Sequence, residues 1–347
     1  MNALRHRNIR QGLAALVFLA SGALPLYGLE YAVTYTEGSP YRRGKAGQEV
    51  DLQIGDVVKA GDTVITESGD YVELESGSIT VRVNKNTVFT IYEFEKGGRT
   101  QDALGCALGS LRFKVKSITG QEPSLKTNTA VCGLRGTELT LFAGEDGSSL
   151  VVVADGLVEV SARGESVELA AGEGVEVAAG QAPGAKFQAL AREIDFAKWN
   201  EGRLESLLRD PVQAALRVET QMKDFAVEIG KINPLYLESK AALDREREQE
   251  RLIKEKQGPE AMQKYHSETV VPVMLKTLNL FLNLRYYALS ALSLRRYVSG
   301  RMYLMLKSRY ILDPGNPVYK EFLAVHNRTL ELFEREVVER FLVQADI

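Results

Sequence analysis

Glycine falls away abruptly along this chain. Residues 29–190 hold 22 glycines and residues 191–347 only 5. Glycine supplies the positive φ that tight turns need and weakens helix interiors. The first stretch therefore reads as a turn-rich β unit and the second as a helical one. Charge shifts at the same place: 23 acids and 15 bases precede it, 23 acids and 25 bases follow. The boundary is expected near residues 180–195, with Gly180, Pro183 and Gly184 as the linker. That gives three parts: a leader at 1–28, a β domain at 29–183 and an α-helical domain at 184–347.

The leader carries Arg5, His6, Arg7 and Arg10 and no acid, and then an apolar run of about 15 residues from Gly12 to Leu26. A basic start, a short apolar core and small residues after it form the pattern of a secretory signal peptide. The run falls short of the roughly 20 residues that span a bilayer. Cleavage is expected after Gly28, with Ala23 as the competing position. The expected location is the periplasm; an uncleaved signal would instead hold the chain at the inner membrane.

Composition narrows the function classes. Hydrophobic residues make up 45% and charged residues 26%, a globular balance. A net charge of −3 argues against a dedicated nucleic-acid partner. Two cysteines and three histidines exclude a four-thiolate zinc site and supply little for metal or multi-histidine chemistry. No cofactor is expected.

Period-two runs rich in β-branched and aromatic residues mark the first half: Val57-Val58, Thr63-Val64-Ile65, Tyr71 to Leu74, Ile79 to Val83, Val88 to Tyr92, Ser110 to Val115, Glu138 to Phe142, Leu150 to Val153, Leu157 to Val160 and Val175 to Val177. Ser68-Gly69, Ser76-Gly77, Gly97-Gly98 and Asp155-Gly156 read as turn pairs. Their spacing predicts an all-β sandwich, roll or solenoid. In the second half, Phe196, Trp199, Leu204, Leu207 and Leu208 predict one helix, and Asp210-Pro211 starts another. Residues 235–257 are charge-dense and read as a solvated helix face, broken at Gly258-Pro259. Residues 270–312 are apolar on two helical faces, as in the central helix of a bundle. Their Lys276, Asn279, Asn283, Arg285, Arg295, Arg296 and Arg301 argue against a membrane span. A turn at Asp313 to Pro317 leads into a last amphipathic helix striped by Phe322, Val325, Leu330, Phe333, Val337 and Phe341. The helices are expected to form a bundle or an array of hairpins.

Three stretches of the β half resemble the FecR domain family. One runs from Gly55-Asp56-Val57-Val58 through Gly61-Asp62-Thr63-Val64-Ile65-Thr66 into Gly69-Asp70-Tyr71-Val72-Glu73-Leu74. Another is Asn84-Lys85-Asn86-Thr87, followed by Leu108-Gly109-Ser110-Leu111. The most specific spans Leu125 to Leu139 and contains Gly133-Leu134-Arg135-Gly136-Thr137. Gly172-Glu173 resembles the family's closing turn. The resemblance covers roughly residues 31–180 and implies the FecR-like β fold, with Thr127, Ala130, Gly133, Arg135, Gly136 and Thr137 as its structural motif. Asn128 stands where the family usually has proline, and Leu134 where it usually has valine. Iron-signalling regulators of this family place an anti-sigma domain before the membrane segment. Only about 11 residues precede the apolar run here, so the regulatory function is not expected to carry over with the fold.

Candidate sites are few. No Gly-x-Ser-x-Gly elbow is present, and His266 and His326 fall in helical segments; no catalytic, cofactor-binding or metal residue is expected. Arg135, between two glycines, reads either as a binding residue or as the ion-pair partner of a nearby carboxylate. Cys106 and Cys132 would close a loop of about 26 residues if bridged, which export permits; the alternative is two separate buried residues. Residues 269–312 carry seven bases and no acid, with Arg285, Arg295, Arg296, Arg301 and Arg309 beside tyrosines. This basic-aromatic face suits an anionic glycan or lipid headgroup. Its intramolecular alternative is pairing with Glu238, Glu246, Glu331, Glu334 and Glu336. The expected function is non-enzymatic binding or scaffolding in the cell envelope, the partner an envelope protein or glycan. A signalling relay responding to an outer-membrane event and a glycan-binding protein are the alternatives.

Overall fold

A computed structural model describes residues 30–44, 47–96, 99–116, 123–189 and 194–342. The leader, the Gly97-Gly98 pair and residues 190–193 at the expected boundary lie outside them.

The described β residues form β1 (Tyr31–Glu37), β2 (Tyr41–Arg43), β3 (Glu49–Asp51), β4 (Val57–Val58), β5 (Thr63–Thr66), β6 (Tyr71–Ser76), β7 (Ile79–Val83), β8 (Thr87–Lys96), β9 (Arg99–Val115), β10 (Ser124–Thr127), β11 (Val131–Ala143), β12 (Ser149–Ala162), β13 (Glu165–Ala170), β14 (Glu173–Val177) and β15 (Phe187–Gln188). All join one sheet, in the order β15-β14-β12-β11-β10-β9-β7-β6-β1-β4, with β8, β5, β2 and β3 branching from β9. Only β10 and β9 run parallel; every other pair is antiparallel.

The 17-residue β9 organises the sheet. Its first half pairs with β8 and β10, its second with β7 and β11. The change of neighbours falls at Gly109, with φ +99°. A Cβ there would stand 2.6 Å from the Asn86 carbonyl oxygen and from the Thr87 Cα, so the bend needs glycine. The curled sheet closes around Tyr31, Leu74, Phe89, Ile91, Leu104, Leu111 and Phe113, all removed from solvent.

Two expectations are corrected and one open alternative is resolved. Asp155-Gly156 does not reverse the chain: Leu150 to Val153 and Leu157 to Val160 are one strand, β12, with the pair forming an irregularity opposite β11. The sheet also runs on past residue 183, because Phe187 and Gln188 pair with Gly174 and Glu173. The alternative concerns Cys106 and Cys132, which are buried free thiols. Cys106 opposes Thr127 on one side of β10, and Cys132 opposes Leu125 on the other. Two strand spacings of about 4.8 Å put their backbones beyond the roughly 7 Å reach of a disulfide. Burial pushes both thiols up to about 12, so neither ionises at neutral pH. We expect a thiol reagent to find none accessible in the native chain at pH 8 and two after denaturation without reductant; finding none after denaturation would restore the bridge.

The helices are α1 (Phe196–Arg209), α2 (Pro211–Gln257), α3 (Pro259–Tyr265), α4 (Val271–Tyr297), α5 (Tyr303–Arg309) and α6 (Pro317–Phe333). Asp195, Asp210 and Asn316 cap α1, α2 and α6 by accepting hydrogen bonds from the backbone N–H groups of Ala197, Gln213 and Val318. Wider π-helical turns occupy His266–Val270, Val298–Met302 and Glu334–Leu342. The second half of α2 and the start of α4 form an antiparallel arm. Ser239 shares a 2.8 Å hydroxyl hydrogen bond with Thr277, the Tyr236 and Phe281 rings lie 5.8 Å apart, and His266 meets Glu250 at 2.9 Å near the tip. From residue 236 to 257 the arm reaches about 33 Å at 1.5 Å per residue.

Candidate functional site

Two contacts hold the helices against the sheet. At the first, Phe142, Phe196 and Trp199 pack together, with Phe142 and Phe196 stacked at 5.8 Å. Beside them Arg203 donates from Nε to Asp146 at 3.0 Å and from Nη2 to Ser148 Oγ at 2.6 Å, and pairs through Nη1 with Glu176. Trp199 Nε1 donates to the same Glu176 at 3.2 Å. At the second, α4 lies across β8 and β9. From Phe89 to Tyr92 strand β8 is buried on both faces as a result: Phe89 and Ile91 point into the β core, and Thr90 and Tyr92 lie beneath the helix. The Tyr286 ring meets Tyr92 edge-on at 5.0 Å, and its hydroxyl donates to the Thr127 carbonyl. Burial pushes the Tyr92 phenol up to about 12 and the Tyr286 phenol well above its ordinary value.

Between these contacts the units part, leaving a cleft of about 960 Å³. Its sheet wall carries Ile65, Val88 and Leu108, and its helix wall Ala288, Leu289 and Leu292; Phe281 and Phe341 close one end. The helix positions recur every three or four residues and so form one face of α4. Arg285, Arg296 and Arg301 stand on the same wall, with Arg43 opposite. Arg301, in the π-helical segment Val298–Met302, lies four residues beyond Tyr297, another lining residue, and so continues the same face. Glu145 is the carboxylate of the lining, and Arg301 binds it at 2.6 Å. Burial pushes the Tyr297 phenol at the cleft margin upward, so it stays neutral at physiological pH.

The basic-aromatic face is thus brought together in part, and its partners are not the expected ones. Arg285 donates to the Gly61 carbonyl at 3.3 Å. Arg301 takes Glu145 of the β11–β12 turn, not an acid of the flanking helices. Arg309 points elsewhere, donating to the Leu208 carbonyl, and Arg295 lies over the Phe333 ring at 5.9 Å. Arg296 is exposed and has no hydrogen bond or ion pair among the described residues. The expected partners Glu246 and Glu336 are engaged with Tyr265 and with Arg335 and Arg340.

The motif residues hold the strands in register. Thr127 Oγ1 accepts from Ala130 N–H at 2.9 Å and from Ser149 Oγ at 2.6 Å, and Ala130 is buried. Asn128, at the family's proline position, donates from its side-chain amide to the Ala107 carbonyl at 3.0 Å. Gly133 faces Glu159 with room for a Cβ. Gly136 has φ +58°, and Thr137 donates to the Leu157 carbonyl at 3.1 Å. The Arg135 side chain lies outside what the structure describes. His266 and His326 sit on helices; His326 is buried against Tyr303 and Phe322. Sequence reasoning missed Arg203 and Glu145. Their partners lie more than 20 residues away, and nothing local marks them.

Two crystal structures of an anti-sigma factor candidate from Parabacteroides distasonis ATCC 8503, at 2.50 Å and 1.65 Å resolution, are similar to this chain at 19% identity and a TM-score of 0.33. The matches cover 38% and 40% of this chain and 61% and 65% of those chains, so this chain spans under two-thirds of their length. No curated protein matches. The family described as FecR protein matches residues 62–159. That span runs from Asp62 beside β5 into β12 and takes in the glycine bend of β9 and the whole Gly-Leu-Arg-Gly-Thr strand, so the β unit of this chain carries a FecR domain.

Proposed function

We propose that this protein is a non-enzymatic binding and scaffolding component of the cell envelope, exported by its leader, that holds a partner or ligand in the cleft between its FecR domain and its helical domain. The observation that carries this reading is the cleft itself. Binding sites favour the junction of two units and volumes of about 300–1,000 Å³, and this one presents an unpaired arginine beside an apolar trough. Its polar groups are guanidinium cations, hydroxyls, the Tyr297 phenol kept neutral and one carboxylate, Glu145, already paired with Arg301, which suit holding an anion better than moving a proton. The basic leader and its short apolar core support export, and among the described residues no helix is long and apolar enough to cross a membrane.

A photo-cross-linking residue at Leu292 in intact cells should capture a molecule that one at exposed Lys320 does not. Equal capture at both positions, or at neither, would overturn the cleft as the site. Export has its own test: deleting residues 1–28 should leave the protein in the cytoplasm, and continued appearance outside the inner membrane would remove the leader from the account. The FecR match favours signalling as a second reading, in which occupancy of the cleft is passed to another envelope protein.

A further inference from the structure

The cleft has a direction. At one end Arg296 is exposed and unpaired, and Arg301 lines the same end, held by Glu145. Moving along α4 away from Arg296, the wall becomes apolar through Leu292, Leu289 and Ala288, faced across the gap by Ile65, Val88 and Leu108. The trough ends at Arg285, whose guanidinium is occupied by the Gly61 carbonyl. From residue 296 back to residue 285 the helix rises about 16 Å. One acyl chain spans half of a bilayer core of about 30 Å, or about 15 Å. A free cation at the mouth of an apolar trough of this length is complementary to an anion carried on a hydrocarbon chain.

We propose that the cleft binds a single-chain anionic amphiphile, with its acyl chain along the Ala288–Leu289–Leu292 wall and its carboxylate or phosphate on Arg296. This rests on the reading of the cleft as the binding site and names the ligand class for it. Glu145 shapes the selectivity: it neutralises Arg301, so Arg296 is the uncompensated charge at that end, while Arg285 keeps its charge at the other end with the Gly61 carbonyl as its acceptor. An uncharged glycan would leave the Arg296 charge uncompensated and would place hydroxyls against leucine side chains, where they lose hydrogen bonds.

Calorimetric titration of the purified, delipidated chain tests this, using hexadecanoate, hexadecyl phosphate, dodecanoate and hexadecanol, each below its aggregation concentration. At least one sixteen-carbon anion should bind. Each buried methylene contributes about 0.8 kcal/mol, or roughly fourfold in affinity, so dodecanoate should bind at least tenfold more weakly than hexadecanoate. Hexadecanol should bind at least tenfold more weakly than the anions. Arg296→Gln should weaken the anions about tenfold and leave hexadecanol unchanged. Ala288→Trp, filling the trough, should abolish binding. If that variant fails to fold, Leu292→Asp at the trough wall carries the same expectation. Binding of hexadecanoate alone assigns a free fatty acid, and of hexadecyl phosphate alone a phospholipid headgroup. Equal affinity for hexadecanol, absence of chain-length dependence, or an unchanged Arg296→Gln overturns the proposal. If no amphiphile binds while the Leu292 cross-linker still captures an envelope protein, the ligand class is wrong and the cleft stands. If the cross-linker also captures nothing, the reading of the cleft fails with it.

Discussion

A single methyl group at residue 156 should lower the melting temperature of the full chain by about 5–10 °C. Gly156 has φ +82° and lies in β12, opposite the β11 irregularity where Gly136 has φ +58°. The two left-handed residues face each other so closely that a Cβ on Gly156 would stand 2.2 Å from the Gly136 carbonyl oxygen and 3.0 Å from its carbon. The obstacle is backbone, held by the ladder on both sides, and has no rotamer to yield. The left-handed conformation alone costs a non-glycine residue about 1–2 kcal/mol; the clash raises the expected loss to about 2–4 kcal/mol. Gly164 is the control. Its φ of +81° is nearly the same, and a Cβ there meets nothing within 4 Å. Thermal unfolding of Gly156→Ala, Gly164→Ala and the unaltered chain separates the two contributions. Equal losses at both positions would show that the paired irregularity is not tightly packed. Gly136→Val should resemble Gly156→Ala and should exceed Arg135→Ala.

Arg203→Met is the second large expected effect. Arg203 and Asp146 are 15% and 14% exposed at their side chains, and Glu176 is 37% exposed. Removing the guanidinium leaves two carboxylates facing each other at a domain junction, and strands the Ser148 hydroxyl. Breaking a buried pair costs about 3–5 kcal/mol. The exposure of Glu176 lets solvent screen part of that, so about 2–4 kcal/mol is expected. Trp199, the single tryptophan of the chain, donates to Glu176, and its fluorescence reports on this junction directly. The expected result is a lower midpoint in urea with a red-shifted native emission. Adding Asp146→Asn and Glu176→Gln should restore much of the loss by removing the stranded charges. A native spectrum and midpoint unchanged in Arg203→Met would mean that the aromatic stack alone fixes the junction.

Elements with an internal period were legible in the sequence. Strands β6 and β7 alternate between buried and half-buried along their whole length, and Asp210-Pro211, Gly258-Pro259 and Asn316-Pro317 mark helix ends where the structure has them. Features set by a partner were not. Residues 93–96 pair with residues 99–102 between β8 and β9, and that pairing follows from backbone register and not from an apolar rhythm. Asp155-Gly156 has the composition of a turn, and only the strand opposite makes it an irregularity. Pro234 lies inside α2 without ending it, against its local preference. For the cleft, the arginines were visible as a basic stretch. Which of them pair could not be read, because Glu145 and Gly61 are 156 and 224 residues away in the chain.

The helical arm has a mechanical consequence. Helix α4 begins in the arm beside Thr277 and ends at the mouth of the cleft, as one unbroken rod from Val271 to Tyr297. A rod has a single orientation. The arm and the wall bearing Leu289, Leu292 and Arg296 therefore share one helix axis, which buried Leu284, Ala291 and Leu294 seat in the helical core. The spacing of the cleft's two walls is thus fixed by the same helix that carries the arm, tied to the sheet through Arg285 and Gly61 and through Arg301 and Glu145.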